Sequence, residues 1–143
     1  MLEVEPQLIE QYVRTGQMRI IVRPLLQTGE DSLLAAHAAA CAGEQQQYFT
    51  MRSALYANQG ALYTAADITQ ALQQVAQDIG LDTNSFASCM QQETYRLALI
   101  SQYTLAKEDG ILARPVFEIN GQRIIGAQPF AQFGPIIDAL LKE

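Results

Sequence analysis

Two cysteines, Cys41 and Cys89, are the only thiols in the chain and the first candidates for chemistry. A thiolate is a nucleophile and a soft metal ligand, and two neighbouring thiols can exchange with a disulfide. These two stand 48 positions apart, so they do not form the C-x-x-C pair of a disulfide-exchange site. Each lies in a segment of helical pattern beside apolar residues. The sequence therefore predicts either one structural disulfide or two buried thiols, and it disfavours a redox-active pair.

The single histidine, His37, stands among alanines in "AAHAAAC". No second histidine and no carboxylate lies at ligand spacing, so no metal site is predicted. We expect His37 to be a solvated or partly buried helix residue and Glu44, in "AGEQ", to be solvated. No phosphate loop, nucleophile triad or dinucleotide fingerprint occurs, and no cofactor is predicted.

The elements that hold these residues are mostly helices by their periodicity. The β-branched segment "QMRIIVRPLL" predicts a strand that Pro24 ends. Asp31 or Ser32 is expected to cap the helix that follows. Four aromatic residues are expected to form a packing cluster: Tyr48, Phe49, Tyr56 and Tyr63. The predicted helices are Leu2 to Val13, a long stretch 33–59 that Gly43 divides, Ala65 to Ile79 capped by Thr64, a short helix after Asp82, and roughly Glu93 to Asp109.

A hairpin and a helix are predicted at the C-terminal end, in "GILARPVFEINGQRIIGAQPF" and the residues after it. Asn120-Gly121 supplies the positive φ values of a type I′ turn, so residues 116–120 and 122–126 are expected to pair. Pro115 lacks an N–H and suits the first position of a strand. Apolar residues at Phe130, Phe133, Ile137 and Leu141 then follow at helical spacing.

The composition argues against nucleic acid as a partner, and the hydropathy pattern argues against a membrane span. The net charge of −6, the pI near 4.7 and the scattered basic residues argue against nucleic acid. No run of eighteen apolar residues occurs, so no membrane span is predicted. The first residues, "MLEVEPQLIEQYV", carry acids and a proline where a signal peptide needs a basic start and an apolar centre, so no signal peptide is predicted in the chain as written. With 143 residues, 49% of them hydrophobic, the chain is expected to form one compact domain.

Together these segments resemble the DsbA-like thiol–disulfide oxidoreductases of the thioredoxin superfamily. "LEVEPQLIEQYVRTGQMRIIVR" resembles a first core helix and second strand, and "AAHAAACAGEQQQYFTMRSALYANQ" and "FASCMQ" resemble parts of a helical insertion. The most specific segment is "ARPVFEINGQRIIGAQPFAQF", because the family has a P-x-F-x-I-N-G-x-x-x-x-G pattern at the proline that faces the catalytic disulfide. The resemblance implies an α/β, thioredoxin-like fold, with 1–26 and 110–143 as the thioredoxin core and 30–109 as the helical insertion.

The resemblance also implies a substrate-binding loop at Arg114 and Pro115. Pro115 would follow a cis peptide bond and expose the backbone of Arg114 to an extended substrate peptide. Relatives usually have a small or β-branched residue before this proline, so Arg114 departs from the pattern. Beside a catalytic disulfide its cation would stabilise a thiolate, whereas the alternative is a solvent-facing loop arginine.

The C-x-x-C motif of the family is missing, and no catalytic residue is assigned within the chain. Met1 aligns shortly after the place of the second active-site cysteine, so the first strand and both catalytic cysteines are expected upstream. The expected fold is thus N-terminally truncated and mostly helical, with a small residual sheet. The causes left open are a late start, a truncated product or a member that has lost its chemistry. An exposed sheet edge would then favour a homodimer.

Three functions remain. The first is thiol–disulfide exchange, the function of the DsbA-like family, with cysteine-containing proteins or peptides as substrates and a redox partner protein. Because the C-x-x-C pair is missing, the chain as written is expected to be inactive in this exchange. The alternatives are a redox-inert peptide-binding module and a thioredoxin-fold isomerase or transferase that binds glutathione. Some relatives carry a second, non-catalytic disulfide that Cys41 and Cys89 resemble, and a disulfide suits the oxidising cell envelope that the resemblance implies. The lack of a signal peptide implies the cytoplasm if Met1 is the natural start.

Overall fold

A computed structural model describes residues 3–142 of the chain. The α-helices are α1 (Val4–Leu8), α2 (Glu30–Gly43), α3 (Tyr48–Ala57), α4 (Gln59–Leu62), α5 (Ile68–Asp78), α6 (Thr83–Gln91), α7 (Arg96–Glu108) and α8 (Phe130–Leu140). A π-helical turn, Ile9–Val13, continues α1. The strands β1 (Val116–Ile119) and β2 (Gln122–Ile125) form one antiparallel pair.

The chain divides into two compact units. The helical unit is Arg23–Leu105, and the hairpin unit combines the described residues up to Val22 with those from Ala106 onward. Each unit has an apolar cluster of its own.

Helices α2, α3, α5 and α6 of the helical unit surround its main core. Leu72, Met51 and Phe86 are almost completely buried there. The amphipathic stripe of α5 points Leu72 and Val75 into this core, as the sequence predicts. A smaller cluster of Leu26, Leu33 and Leu99 lies in the same unit.

Two of the predicted helix caps are wrong. Asp67, not Thr64, caps α5, because its Oδ1 accepts the N–H groups of Thr69 and Gln70 at 2.9 and 3.1 Å. The Thr64 hydroxyl instead donates to the carbonyl of Gly60. Helix α2 begins after Gly29, whose φ of 66° ends the preceding turn, rather than after Asp31 or Ser32. The prediction that Asp82 caps α6 is confirmed, since its carboxylate accepts the N–H of Ser85.

The hairpin unit packs its sheet against α8 through aromatic and aliphatic side chains. Phe133 and Ile137 of α8 are buried with Leu8 and Tyr12, and Phe117 meets Phe133 edge to face at 4.7 Å between ring centroids. The Tyr12 hydroxyl donates to Asp138 Oδ1 at 2.9 Å, which joins the π-helical turn to α8. Asn120 and Gly121 have φ values of 45° and 87°, as the predicted turn requires.

The predicted strand in "QMRIIVR" is absent from the described chain, where residues 17–23 form no ladder. The burial of these residues still alternates with period two. Met18 and Ile20 pack on the apolar cluster of the hairpin unit, whereas the side chain of Ile21 is 68% exposed. A strand needs a neighbouring backbone as well as an alternating pattern, and residues 3–142 supply none at this segment.

The expected aromatic packing cluster is wrong for most of its members. Tyr56, Tyr63 and Phe49 are each more than a third exposed. Tyr48 and Phe49 contact each other edge to face, while the ring of Tyr56 lies under the guanidinium of Arg52. Tyr56 and Tyr63 can pack one ring face while the hydroxyl reaches water, whereas exposed Phe49 contacts the ring of Tyr48.

Candidate functional site

A disulfide joins Cys41 of α2 to Cys89 of α6. Their Cα atoms are 5.8 Å apart, and only 1% and 5% of the two residues is exposed. Each lies on the inner face of its helix, among the alanines and apolar residues of the main core. Of the two predicted states, disulfide or buried thiols, the structure contains the disulfide.

His37 is buried beside this disulfide rather than solvated, so the sequence-based expectation for its environment is wrong. It lies one helical turn before Cys41, which places both residues on one face of α2. Its Nε2 accepts the backbone N–H of Tyr95 at 3.3 Å, and its ring meets the Tyr95 ring edge to face. Burial lowers the pKa of His37, although the nearby carboxylates of Glu93 and Glu44 oppose that shift.

Glu44 remains exposed, as expected, but it has specific partners. Its Oε1 accepts the hydroxyl of Tyr95 at 2.9 Å and lies 3.6 Å from Cys89 Sγ. Because the disulfide sulfur carries no hydrogen, the second distance is a contact and not a hydrogen bond. The hydrogen bond to the Glu44 carboxylate, together with burial, raises the pKa of the Tyr95 hydroxyl.

Three metal-ligating side chains therefore meet in the helical unit, where the sequence predicted no metal site. One nitrogen of His37 and the sulfurs of Cys41 and Cys89 all lie within 4.8 Å of one another, and all three residues are buried. The sequence indicates part of this cluster, because His37 and Cys41 are four positions apart and therefore lie on the same face of a helix. Cys89 and Tyr95 could not be placed without the packing of α6 on α2.

The proposed substrate loop belongs to the hairpin unit. The Arg114–Pro115 peptide bond is cis. Arg114 is exposed, and its side chain forms no hydrogen bond or ion pair within residues 3–142. Pro115 is half-buried, and its carbonyl accepts the N–H of Gly126 at 2.9 Å.

One edge of β1 is unpaired in the described chain, where β2 is its sole partner. The bond from Gly126 to Pro115 and the pairing of Phe117 with Ile124 fix the register. Because backbone groups alternate sides along a strand, those of Val116 and Glu118 point away from β2. Within residues 3–142 this free edge begins at Val116, two residues after Arg114, and its outward N–H and C=O groups are open to pairing with an extended chain.

Arg123 of β2 donates hydrogen bonds to a residue of β1 and to the chain just after α7. Arg123 Nε donates to Glu118 Oε2 at 3.1 Å, and its Nη1 donates to the carbonyl of Asp109 at 3.0 Å. Both side chains of the ion pair are more than a third exposed, so its net contribution to stability is small.

Comparison with known proteins agrees with this architecture. Residues 1–139 match the sequence profile of the thioredoxin family, described as "Thioredoxin". The chain belongs to this family. Within it the fold is DsbA-like, a thioredoxin-like fold that is mostly helical with a two-stranded sheet.

The solved structures that resemble the chain include alpha-DsbA1 of Wolbachia pipientis, which superposes with a TM-score of 0.79 at 25% identity. A single-substitution variant of that protein superposes with a TM-score of 0.73 at 24% identity. A variant with two cysteines changed to alanine also has a TM-score of 0.73, at 22% identity. Each match covers 97% of this chain and 76% of the other. A comparison with curated protein sequences finds no match. Across the described residues, no helix has the length and apolar character needed to span a membrane.

Proposed function

We propose that the chain acts in thiol–disulfide exchange by binding cysteine-containing peptides or proteins, while its own cysteines take no part in the exchange. The observation that carries this proposal is the loop of exposed Arg114 and half-buried Pro115, which leads directly into an edge of β1 that is unpaired within residues 3–142 of a DsbA-like fold. An extended substrate would add to this edge as a further strand, with affinity from backbone hydrogen bonds and selectivity from side chains.

Arg114 supplies the selectivity in this proposal. Its cation lies two residues before β1 and has no ion-pair partner within residues 3–142, so it favours a substrate that has an acidic residue close to its cysteine. Because the contact is exposed, it should add little affinity at high salt.

The state of the two cysteines supports the proposal that they do not catalyse exchange. Exchange requires an accessible thiolate, and both cysteines are buried in one disulfide. We propose that this disulfide ties α2 to α6 within the helical insertion, and that a separate C-x-x-C pair and a redox partner protein carry the electron flow. An oxidising compartment such as the cell envelope suits such a bond.

The alternative function is a redox-inert peptide-binding module of the same fold. The buried Cys41–Cys89 disulfide supports it, because neither sulfur is accessible for exchange. Both functions use the edge of β1 that follows Arg114 and Pro115, and a homodimer formed through that edge would compete with peptide binding.

Backbone amide shifts in NMR spectra test the proposal. We would titrate the chain with an extended peptide that contains an S-methylated cysteine and a neighbouring acid, so that binding is separated from exchange. The amides of Val116 and Glu118 should shift, and N-methylation of the peptide backbone should abolish the effect. Shifts confined to other segments, or none at saturating peptide, would refute edge binding.

A pair of arginine variants tests the selectivity. Arg114→Gln should weaken binding of the acidic peptide but not of a neutral one, and Arg19→Gln, at another exposed arginine of the hairpin unit, should change neither. Equal effects of the two variants would show that only the net charge of the chain matters.

A further inference from the structure

We propose that the Cys41–Cys89 pair, when reduced, forms a zinc-binding site together with His37 and Glu44. The disulfide would thus be one of two states of this site. The inference is independent of peptide binding at the β1 edge, because it rests on side chains of the helical unit alone.

The donor atoms are already close to the arrangement that zinc requires. The histidine nitrogen and the two sulfurs lie within 4.8 Å of one another. Tetrahedral zinc with bonds of roughly 2.0–2.3 Å separates its donors by roughly 3.3–3.8 Å. Once the S–S bond is broken, the two sulfurs must move apart to that spacing and the imidazole nitrogen must lie at the same spacing from both, changes that side-chain rotation can supply.

The fourth ligand can come from Glu44. Its Oε1 is 3.6 Å from Cys89 Sγ, at the spacing of neighbouring zinc ligands, and the residue is exposed. Glu44 therefore marks the solvent side from which a metal ion would enter a cluster that is otherwise buried. Its hydrogen bond to the Tyr95 hydroxyl orients the carboxylate, in the way that outer partners commonly orient metal ligands.

The donor types select the metal. Two thiolates and an imidazole suit zinc, whereas magnesium and calcium prefer oxygen ligands alone. If Nε2 of His37 binds the metal, it gives up the N–H of Tyr95, a half-buried residue immediately before α7.

A dithiol can reduce the Cys41–Cys89 disulfide before zinc binds. The dithiol loses two electrons and two protons and becomes a cyclic disulfide, while the S–S bond breaks and each cysteine sulfur gains a hydrogen. Zinc then displaces the two thiol protons to solvent as the two Zn–S bonds form.

The test compares the oxidised and reduced chain without oxygen. The chain is reduced with a phosphine, the excess is removed, and Co²⁺ or Zn²⁺ alone is added. Native mass spectrometry should find one zinc per reduced chain and none in the oxidised chain. The cobalt form should show a thiolate-to-metal charge-transfer band and the visible bands of tetrahedral coordination.

Three variants assign the ligands, and a fourth is a control. Cys41→Ser should abolish the charge-transfer band or reduce it by half, and His37→Gln should weaken zinc binding at least tenfold. Glu44→Gln should have a smaller effect, while Glu108→Gln, at an exposed glutamate of α7, should have none.

Circular dichroism covers the case in which reduction unfolds the helices, since the proposal then predicts that zinc restores the helical signal. The proposal is overturned if the reduced chain binds no zinc whether folded or not, if the oxidised chain binds it equally well, or if Cys41→Ser and His37→Gln leave binding unchanged.

Discussion

Reduction of the Cys41–Cys89 disulfide should destabilise the helical unit by about 4 kcal/mol. The bond closes a loop of 48 positions between α2 and α6, and the chain-entropy estimate for a loop of that length is about 4 kcal/mol at 25 °C. With a denaturant slope of about 2 kcal/mol per molar, this is a shift of roughly 2 M in the urea midpoint.

Urea unfolding, followed by far-ultraviolet circular dichroism in oxidised and reduced buffer, measures this shift. A chelator is present throughout, so that metal binding cannot replace the lost bond. The double variant Cys41→Ala and Cys89→Ala is the control, because the chain has no other cysteine. Its midpoint should lie near that of the reduced chain and should not respond to the reductant.

An unchanged midpoint after reduction, with both thiols shown to be free by alkylation, would refute the reasoning. It would mean that the loop between the two helices is already restricted in the unfolded chain.

Three further predictions test individual contacts. Asp67→Ala should cost about 1 kcal/mol of stability in urea unfolding, because two N–H groups of α5 lose their acceptor, and a similar loss in Asp67→Asn would contradict this capping role. Phe133→Ala should cost about 3–5 kcal/mol, because it empties a site that is completely buried against Phe117; a loss below 1 kcal/mol would show that the hairpin unit does not depend on this packing. The pKa of Glu30 is lowered from 4.5 by its hydrogen bonds from Arg96, so the stabilisation is present above that value and is lost as the pH falls through the lowered pKa. Wild type should therefore lose more stability than Glu30→Gln between pH 6 and pH 3 in urea titrations, and parallel curves would contradict the assignment.

The hairpin and the amphipathic helices were predictable because their signals are local. Asn120-Gly121 specifies the turn by its backbone conformation, and the stripe of α5 specifies which face is buried. The start of α5 was misplaced because Thr64 and Asp67 are both acceptable caps, and only the path of the chain decides between them.

The environment of the histidine was not predictable for a different reason. His37 is buried because α6 and Tyr95 pack on the alanine face of α2, and the sequence does not show which elements pack together. The extended segment 17–23 illustrates the same limit, since its alternating pattern predicts which side is buried but not whether a neighbouring strand exists.

The central claim is that the cysteines of this chain do not catalyse thiol–disulfide exchange and that its part in that exchange is peptide binding. Reduction of insulin by a dithiol, with and without the chain, tests this most directly. We predict a rate equal to that of the dithiol alone, for wild type and for the Cys41→Ala, Cys89→Ala double variant alike. An acceleration by wild type that the double variant loses would contradict the claim and would make this pair a catalytic one.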